Sequence, residues 1–364
     1  MTALRRHSAR RGFALGLVMM FMAVAITVGL SYLASTSVKT ASSKNLTDAI
    51  RSEYVAESGV MHGLELFRSQ GLTAFDSGTK GPFYPDSSTD SYRIRAVCTD
   101  PANHIYRLTS TGTVGNIQRV HSAEVKLSCE YRQRVVSLGP IHYWRLGESG
   151  GDYAADLVGT AQGRYRRSPI LGQSGALYID TDTAVQFDGI DDYVDLDRWN
   201  IPGNQMTIMA WAKADHFSVQ DGRIISKANG TSKNDHVWMI SYEDVGSENR
   251  LRFRLSAGGS VAELEPQRAR LTAGKWFFVA VTYDGSRMRI YQDGEEVASC
   301  AKSGTIKQNN NDAWIGGNPP RRRDRPWPGK IDEVAVFDKA LTKKQIRGLY
   351  KARWPKTEIV GWIE

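Results

Sequence analysis

The chain has 364 residues and a formal net charge of +8, from 47 lysines and arginines against 39 aspartates and glutamates. Four of the positive charges lie in residues 1–12, which hold no acidic residue, so the remainder carries only +4. Nucleic-acid binding needs a clustered basic stripe, and the composition therefore argues against a nucleic-acid partner. The length leaves room for one large domain and one small one.

An uncharged, largely apolar run occupies residues 13–34, directly after the basic leader of residues 1–12. As a helix it reaches about 33 Å, which crosses the hydrocarbon core of a membrane once. The leader arginines keep the N-terminus in the cytoplasm. We therefore expect a single-pass inner-membrane protein whose C-terminal domain is periplasmic or lies at the cell surface. A cleaved signal peptide is the alternative, although its apolar core spans only about 7–15 residues.

Helix-compatible sequence without proline continues through residues 35–70. Ile50, Tyr54, Met61, Leu64 and Phe67 recur near one face of a helix, as in an amphipathic segment. The sequence therefore predicts one long helix that is apolar at first and amphipathic later.

The junction Arg11-Gly12-Phe13-Ala14-Leu15, together with Ala56-Glu57-Ser58-Gly59, resembles the N-terminal helix of type IV pilin-like proteins, most closely minor pilins and pseudopilins. The resemblance implies that a prepilin peptidase cuts between Gly12 and Phe13 and leaves the apolar helix attached. Major pilins carry a glutamate at the fifth mature position, where it neutralises a neighbouring N-terminal ammonium in lipid. Leu17 at that position implies a subunit at a filament tip or outside a filament. A plain single-pass anchor is the alternative.

A small β-rich region is predicted at residues 71–135, with the strand-like runs SYRIRAV, HIYRLTSTGTV and IQRVHSAEVKLS. Cys98 follows the first run and Cys129 the third, so a meander brings both to one edge of the sheet. A disulfide between them is expected after export, although non-adjacent strand ends would be too far apart. Cys300 is then a free buried thiol. A helix with a small sheet is also the outline of a pilin head.

From residue 136 onward, strands and turns follow one another as in an all-β sandwich. Residues 251–255, LRFRL, alternate apolar and basic residues, which predicts one buried and one solvent-exposed face. Asp293-Gly294 predicts a hairpin turn. A capping box from Thr342 to Gln345 predicts a short helix. Its inward residues are expected to be Ile346, Leu349 and Tyr350.

These runs resemble, in sequence order, a laminin-G-like, concanavalin A-like lectin jelly roll. The resemblance covers about residues 140–352, within a domain predicted at residues 136–355. It depends most on FDGIDDYV (187–194) and GKIDEVAVFDKAL (329–341). It implies a mainly β fold with a jelly-roll sandwich, preceded by the membrane helix and the small β-rich region. Residues 356–364 are left as a C-terminal tail.

Catalysis is not expected from this sandwich. Glucanases of this architecture use carboxylates in an E-x-D-x-E pattern on one strand, because acid and nucleophile flank one glycosidic bond. Here Lys330 replaces the first carboxylate, and Asp332 and Glu333 are adjacent, so a regular strand points them to opposite faces. A glycoside hydrolase with atypical residues is the alternative.

A calcium site is the first binding feature that the sequence suggests. Asp188, Asp191 and Asp192 crowd one turn, and calcium takes six to eight hard oxygen ligands. The family resemblance implies that this turn meets the last strand around a structural Ca²⁺, with Asp188, Asp191 and Asp332 as ligands. The alternative is that these aspartates only form turns.

A basic loop is the second feature, with Arg321, Arg322, Arg323, Arg325 and Trp327 as candidate ligand-binding residues. Guanidinium groups and an indole suit anionic glycans through bidentate contacts and stacking. A solvated loop between strands is the alternative. The remaining tryptophans of the sandwich strands are expected to lie mostly in the core: Trp211, Trp238, Trp276 and Trp314.

The sequence thus predicts a membrane-tethered, exported, non-enzymatic binding protein with a lectin-like head. Its partners are the membrane, a carbohydrate or protein ligand in adhesion or envelope attachment, and other pilin-like subunits if it joins a filament. A structural minor pilin or pseudopilin of a pilus or a type II-like secretion system is the main rival interpretation.

Overall fold

The computed structural model of the chain describes residues 8–81, 90–246 and 248–363, with the side chains of residues 8–16 and 245 left out. The described residues form three α-helices: α1 (Ser8–Gln70), α2 (Tyr131–Ser137) and α3 (Lys343–Lys351). Their strands are β1 (Phe75–Lys80), β2 (Ser91–Asp100), β3 (Ile105–Val114), β4 (Ile117–Ser128), β5 (His142–Trp144), β6 (Tyr153–Ala154), β7 (Gly163–Arg166), β8 (Ile170–Ser174), β9 (Thr183–Asp188), β10 (Tyr193–Asp195), β11 (Met206–Ala214), β12 (Arg223–Ala228), β13 (His236–Val245), β14 (Glu248–Ala257), β15 (Ser260–Leu264), β16 (Phe277–Tyr283), β17 (Arg287–Gln292), β18 (Glu295–Ala301), β19 (Ala313–Ile315), β20 (Pro328–Phe337) and β21 (Lys356–Ile363).

The chain divides into two compact units. Residues 1–66, 72–126 and 358–364 form one, which we call the helix–sheet unit. Residues 67–71 and 127–357 form the other, the jelly-roll unit.

Helix α1 is continuous over 63 residues, which confirms the prediction of one long N-terminal helix. From Leu17 onward it is long and apolar enough to cross a membrane, judged by length and composition alone. Both a membrane anchor and a signal sequence meet that criterion. The predicted processing site at Gly12 and Phe13 falls where the side chains lie outside the described residues.

The buried face of α1 differs from the predicted one. Leu64 and Phe67 are buried as expected, but Ile50, Tyr54 and Met61 are between 51% and 65% exposed. The buried face is instead formed largely by small residues: Ser52, Val55, Ala56, Gly59, Val60 and Gly63. This face packs against the sheet because its small side chains allow the helix backbone to approach the sheet closely.

Two glycines of α1 show how closely the helix approaches the sheet. A Cβ at Gly59 would lie 2.0 Å from Ser110 Oγ, and one at Gly63 would lie 2.6 Å from a Leu108 methyl carbon. The sheet under α1 has five strands in the order β1-β2-β3-β4-β21. Residues 356–363, which the sequence left in a C-terminal tail, instead form β21 and complete the sheet that the first four strands begin.

The predicted disulfide between Cys98 and Cys129 is wrong, because all three cysteines are free. Strand β3 separates β2 from β4, which places their backbones about 9.6 Å apart. Along the strands, Cys98 is level with Tyr106 and Tyr106 with Val125, four residues before Cys129. Cysteines whose Cα atoms are more than about 7 Å apart cannot be bridged. The Cys129 thiol instead donates to Asp180 Oδ2 at 3.4 Å.

Two sheets face each other in the jelly-roll unit. Sheet I has the order β15-β14-β13-β12-β19-β10-β7-β6, and sheet II has the order β18-β17-β16-β11-β20-β9-β8, with β5 paired to β20. The main core lies between them and includes Trp144, Trp238 and Trp327. A second apolar cluster covers the outer face of sheet II, where Trp211 packs with residues of α2 and α3. Helices α2 and α3 therefore cover the outer face of sheet II.

Several local predictions are confirmed in this unit. The Asp293-Gly294 turn joins β17 to β18, with positive φ angles of 52° and 81°. Thr342 caps α3 by accepting a hydrogen bond from the Gln345 backbone N–H, and Ile346 and Leu349 are buried. The thiol of Cys300 is free, as predicted, but it is half-buried rather than buried.

The prediction that residues 251–255 expose one face to solvent is wrong. Arg252 and Arg254 are only 4% and 8% exposed. Arg252 pairs with Asp221 at 2.6 Å and with Glu243 at 2.9 Å, and Arg254 pairs with Glu263. Alternation places these arginines outside the core, but carboxylates from neighbouring segments cover them.

Candidate functional site

The acidic turn, residues 188–192, joins β9 to β10 and is held by its own carboxylates. Asp188 Oδ1 accepts hydrogen bonds from the backbone N–H groups of Ile190, Asp191 and Asp192 at 2.8, 3.1 and 3.3 Å. Asp192 Oδ2 accepts one from the Asp188 N–H at 3.1 Å. Gly189 has a φ of 72°, and a Cβ there would lie 2.8 Å from Pro328. The tight turn therefore forces three carboxylates together.

The three carboxylates could hold a metal ion. Asp188, Asp191 and Asp192 each offer one oxygen, and these atoms all lie within 4.8 Å of one another. Asp192 is 4% exposed, and burial followed by the Asp188 charge raises its pKa to about 6. Among the described residues, the hydrogen bonds of each of these carboxylates use only one of its two oxygens. The other oxygen can therefore bind a cation. Three carboxylate oxygens suit a hard cation such as Ca²⁺, with backbone carbonyls and water completing the shell.

Asp332, the third predicted metal ligand, lies elsewhere. Asp188 pairs with Pro328 on β20, and Asp332 is four residues further along that strand, about 13 Å away. Its Oδ2 accepts a hydrogen bond from the Ala176 N–H at 2.7 Å. The structure therefore joins Asp188 and Asp191 with Asp192 and leaves Asp332 out of the cluster.

The arginine loop, residues 321–325, contacts the acidic turn. Arg322 Nε lies 3.1 Å from Asp191 Oδ2, and Arg323 Nε lies 3.9 Å from the same oxygen. Arg321, Arg322 and Arg323 are exposed, whereas Arg325 is half-buried against Asp221 and the Gln220 carbonyl. The two features that the sequence treated separately thus form one surface, in which the guanidinium groups of Arg322 and Arg323 border the carboxylate of Asp191.

Trp327 is not a surface residue, which overturns its predicted role in ligand binding. Its side chain is fully buried in the main core, and its Nε1–H donates to the Lys330 carbonyl at 3.2 Å. Its ring packs against Tyr242 and Phe277. The chain enters β20 at this point, so the indole points between the sheets. Trp211, Trp238 and Trp314 are also buried and Trp276 is half-buried, as expected.

A buried polar group that the sequence did not reveal supports the arginine loop. Arg223 is fully buried, and it donates to Asn318 Oδ1 at 3.2 Å and to the Asp221 carbonyl at 2.9 Å. Burial, and then the charge of Arg252, lowers its pKa to about 9. Asn318 in turn donates to the Gly230 carbonyl at 2.8 Å. Hydrogen bonds therefore fix the residues just before the loop, while its tip stays in solvent.

Asp332 and Glu333 lie on the same side of sheet II, against the prediction of opposite faces. Glu333 has a φ of 54°, and β20 carries one more residue than β11 at this point. Such a bulge breaks the alternation of side chains. Ile331 and Val334 therefore both enter the main core, and the two carboxylates between them both point outward.

The two carboxylates belong to a buried ionic cluster centred on Arg145. Arg145 lies 2.6 Å from Glu333, 2.8 Å from Asp180 and 2.8 Å from Asp182. The Tyr143 hydroxyl also donates to Glu333. Burial raises the pKa of Glu333, and burial together with the Glu333 charge raises the pKa of Asp332 well above its usual value.

Both carboxylates of this cluster are enclosed. Asp332 and Glu333 are 2% and 0% exposed, so neither carboxylate reaches solvent. The argument from strand faces against catalysis no longer holds, because both carboxylates lie on the same side of sheet II. The cluster joins residues next to β5, residues of β20 and the segment around Asp180.

Comparison with known proteins describes the fold of the C-terminal part. Residues 188–347 match the family model of the concanavalin A-like lectin/glucanases superfamily. This part is therefore a concanavalin A-like domain, and the prediction of a mainly β, lectin-like fold is confirmed. No curated protein matches the chain.

Similar solved structures include domain 4 of AbnA, a GH43 extracellular arabinanase from Geobacillus stearothermophilus, in complex with arabinotriose. It is 17% identical over 58% of this chain and 98% of that chain, with a TM-score of 0.40. The ligand-binding domain of botulinum neurotoxin serotype D, in complex with N-acetylneuraminic acid, is 16% identical over 60% and 52%, with a TM-score of 0.43. A Trypanosoma rangeli sialidase is 11% identical over 72% and 52%, with a TM-score of 0.42.

Proposed function

We propose that the chain is a membrane-anchored, non-enzymatic binding protein whose jelly roll recognises a carbohydrate. The observation that carries this proposal is the surface where the arginine loop meets the acidic turn, with Arg322 3.1 Å from Asp191. Exposed guanidinium groups on a fixed loop base can form bidentate hydrogen bonds with polar ligand groups. Membership of residues 188–347 in a lectin and glucanase superfamily supports the same ligand class. A protein ligand at this surface is the alternative.

We further propose that the acidic turn binds a structural Ca²⁺. Asp188, Asp191 and Asp192 would hold the ion, because their oxygens converge within 4.8 Å. A bound cation offsets the repulsion of three close carboxylates and fixes the turn beside the loop. Since Asp191 also pairs with Arg322, the ion would alter the position of the arginine loop.

The enclosure of Asp332 and Glu333 supports a non-enzymatic role. A glycosidase needs two carboxylates that reach the scissile bond from solvent, and these two are 2% and 0% exposed. Polysaccharide turnover that disappears in Asp332→Asn or Glu333→Gln would instead support the hydrolase alternative.

Helix α1 and the leader support a membrane anchor. We propose that α1 spans the inner membrane with the leader in the cytoplasm, and that the jelly roll lies in the periplasm or at the cell surface. The uncharged run of residues 13–34 and the arginines before it support this topology.

A structural pilin-like subunit is the second candidate function. The observation that favours it is the apolar face of α1 beyond the membrane run, where Ile50, Tyr54 and Met61 are 51%, 65% and 59% exposed. Such a stripe is available for packing against neighbouring subunits. Co-expression with a prepilin peptidase tests this candidate: a size decrease that matches residues 1–12 and co-purification with filament proteins support it. An unchanged size and isolation of the chain alone oppose it.

A glycan array tests the proposed function directly. The full chain, solubilised in detergent, is screened in Ca²⁺ and again in EDTA. We expect binding to a defined glycan set, loss of that binding in Arg321→Ser/Arg323→Ser, and weaker binding in EDTA. Arg132→Ser on α2 is the matched control, because Arg132 is exposed and lies outside the loop. A folded chain that binds no glycan in Ca²⁺ refutes the proposal.

A further inference from the structure

A second basic surface lies on the outer face of sheet I, at strands β6, β7 and β10. An open groove of about 560 Å³ lies there, and its lining residues include Asp152, Tyr153, Arg164, Arg166, Arg167 and Tyr193. Strand alternation produces it: Tyr165 points into the core, so its neighbours Arg164 and Arg166 point outward. We call this surface the tyrosine–arginine groove.

The guanidinium groups of the groove have fewer carboxylate partners than Arg252 on the same face of the sheet. Arg166 lies 3.4 Å from Asp195. Arg164 donates to the Tyr153 hydroxyl at 2.9 Å, and its guanidinium lies 5.1 Å from the centre of that ring. Among the described residues, neither Arg164 nor Arg167 forms an ion pair. By contrast, Arg252 on the same face is buried and paired with two carboxylates.

Arg167 occupies a backbone conformation that arginine disfavours. Arg167 and Ser168 have φ angles of 73° and 79° in the turn between β7 and β8. Glycine or asparagine adopts this left-handed region more readily than arginine. Backbone strain of this kind clusters at binding and catalytic sites. Here the side chain is an exposed guanidinium at the edge of the groove.

An aromatic floor and a link to the arginine loop complete the surface. Tyr193 stacks on Trp314 with ring centres 3.9 Å apart, and Tyr153 is 46% exposed. Burial and the Asp195 charge raise the pKa of Tyr193, and the charges of Arg166, Arg167 and Arg322 oppose that rise. Arg322 is therefore within electrostatic reach of the groove, which extends the positive surface toward the acidic turn.

We propose that the tyrosine–arginine groove binds the acidic sugar of an anionic glycan, with Arg164 and Arg167 on its carboxylate or sulfate and the Tyr153 ring against the sugar face. This proposal assumes the carbohydrate-binding function proposed above. Arginine forks match the planar oxygens of both acidic groups. Exposed aromatic rings supply the apolar contact that a pyranose face needs.

Calorimetric titration of the detergent-solubilised full chain tests this assignment. The probes are trigalacturonic acid for carboxylated sugars, a heparin-derived tetrasaccharide for sulfated sugars, and neutral maltotriose. We expect at least one acidic probe to bind more tightly than maltotriose, with an affinity that falls as salt rises. Arg164→Gln and Arg167→Gln should each weaken that binding by about tenfold, as expected for one charge-assisted contact. The exposed α2 variant Arg132→Gln should bind like the parent chain.

A second variant separates binding from folding. Arg167→Gly removes the guanidinium and suits the positive φ, so it should lose binding without lowering the melting temperature. A lower melting temperature would show that Arg167 has a structural role and overturn the assignment.

The outcomes separate the groove from the proposed function. Preference for maltotriose, or acidic binding that survives both glutamine variants but fails in Arg321→Ser/Arg323→Ser, overturns the groove and leaves carbohydrate recognition intact. Equal competition by inorganic sulfate also overturns the groove as a sugar site. No binding of any probe, together with a silent glycan array, overturns both.

Discussion

Loss of Arg145 should destabilise the jelly-roll unit strongly. Arg145→Met keeps the length of the side chain but removes the cation that lies within 2.8 Å of Asp180, Asp182 and Glu333. Glu333 is fully buried, so its carboxylate cannot turn to solvent instead. Removing one partner of a buried ion pair costs about 3–5 kcal/mol of unfolding free energy. At about 2–4 °C per kcal/mol for a domain of this size, the melting temperature should fall by about 10 °C.

The penalty should depend on pH in a defined direction. Burial raises the pKa of Glu333 and of Asp332, so the folded state binds more protons than the unfolded state. Stability linked to such groups is fully present below their ordinary pKa values and is lost as pH rises through the raised ones. Without Arg145 both pKa values rise further. The loss in Arg145→Met should therefore be larger at pH 8 than at pH 5.

Thermal unfolding of the full chain in detergent, followed by tryptophan fluorescence at both pH values, measures these effects. Arg145→Met/Glu333→Gln should be more stable than Arg145→Met alone at pH 8, because it no longer buries an uncompensated carboxylate. Arg132→Met on the exposed face of α2 serves as the control. Equal penalties at pH 5 and pH 8, or no recovery in the double variant, would refute the reasoning.

Gly112→Ala should destabilise the helix–sheet unit by about 1–3 kcal/mol, because its Cβ would lie 2.5 Å from backbone atoms of α1 that cannot rotate away; hydrogen exchange in β2 and β3 measures this, and unchanged protection contradicts it. Trp327→Ala should cost about 3–5 kcal/mol through a core cavity, whereas a surface tryptophan would cost almost nothing in the same unfolding assay. Calcium affinity should fall as pH decreases through about 6, where Asp192 gains a proton, and Asp192→Asn should weaken binding at pH 7.5; calorimetry that finds the same affinity at pH 5.5 and 7.5 opposes the site. Alkylation after unfolding without reductant should label all three cysteines, because all three are free. Labelling of only one cysteine would instead support the predicted disulfide.

The features that the sequence predicted correctly depend on local patterns. The apolar run and the absence of proline sufficed for α1, because a helix needs only contacts between near neighbours. The capping box at Thr342 and the Asp293-Gly294 turn are fixed by the residues that form them. Motif order then sufficed for the jelly roll.

The features that were predicted wrongly depend on contacts across the chain. Tyr54 and Met61 are more apolar than Gly59, so a hydrophobicity pattern selects the wrong face of α1. The pattern cannot register that a glycine allows closer packing. Likewise, Arg252 is buried because Asp221, 31 residues earlier in the sequence, covers it.

The prediction for the candidate site was wrong for a related reason. Nothing in the residues around Glu333 marks a left-handed backbone, since glycine is the usual signal for one. The bulge there changed the side on which a carboxylate lies. The left-handed backbone of Arg167 is likewise not marked by glycine. The sequence therefore did not predict the groove.

The position of β21 beside β4 has a consequence for the order of folding. The five-stranded sheet combines four early strands with one that follows the whole jelly roll, more than two hundred residues later. Until those residues have been synthesised, β4 presents unpaired backbone groups that invite pairing with another chain. Maturation of the small sheet must therefore wait for the final segment, and removal of residues 356–363 should leave a protein prone to aggregation through that edge.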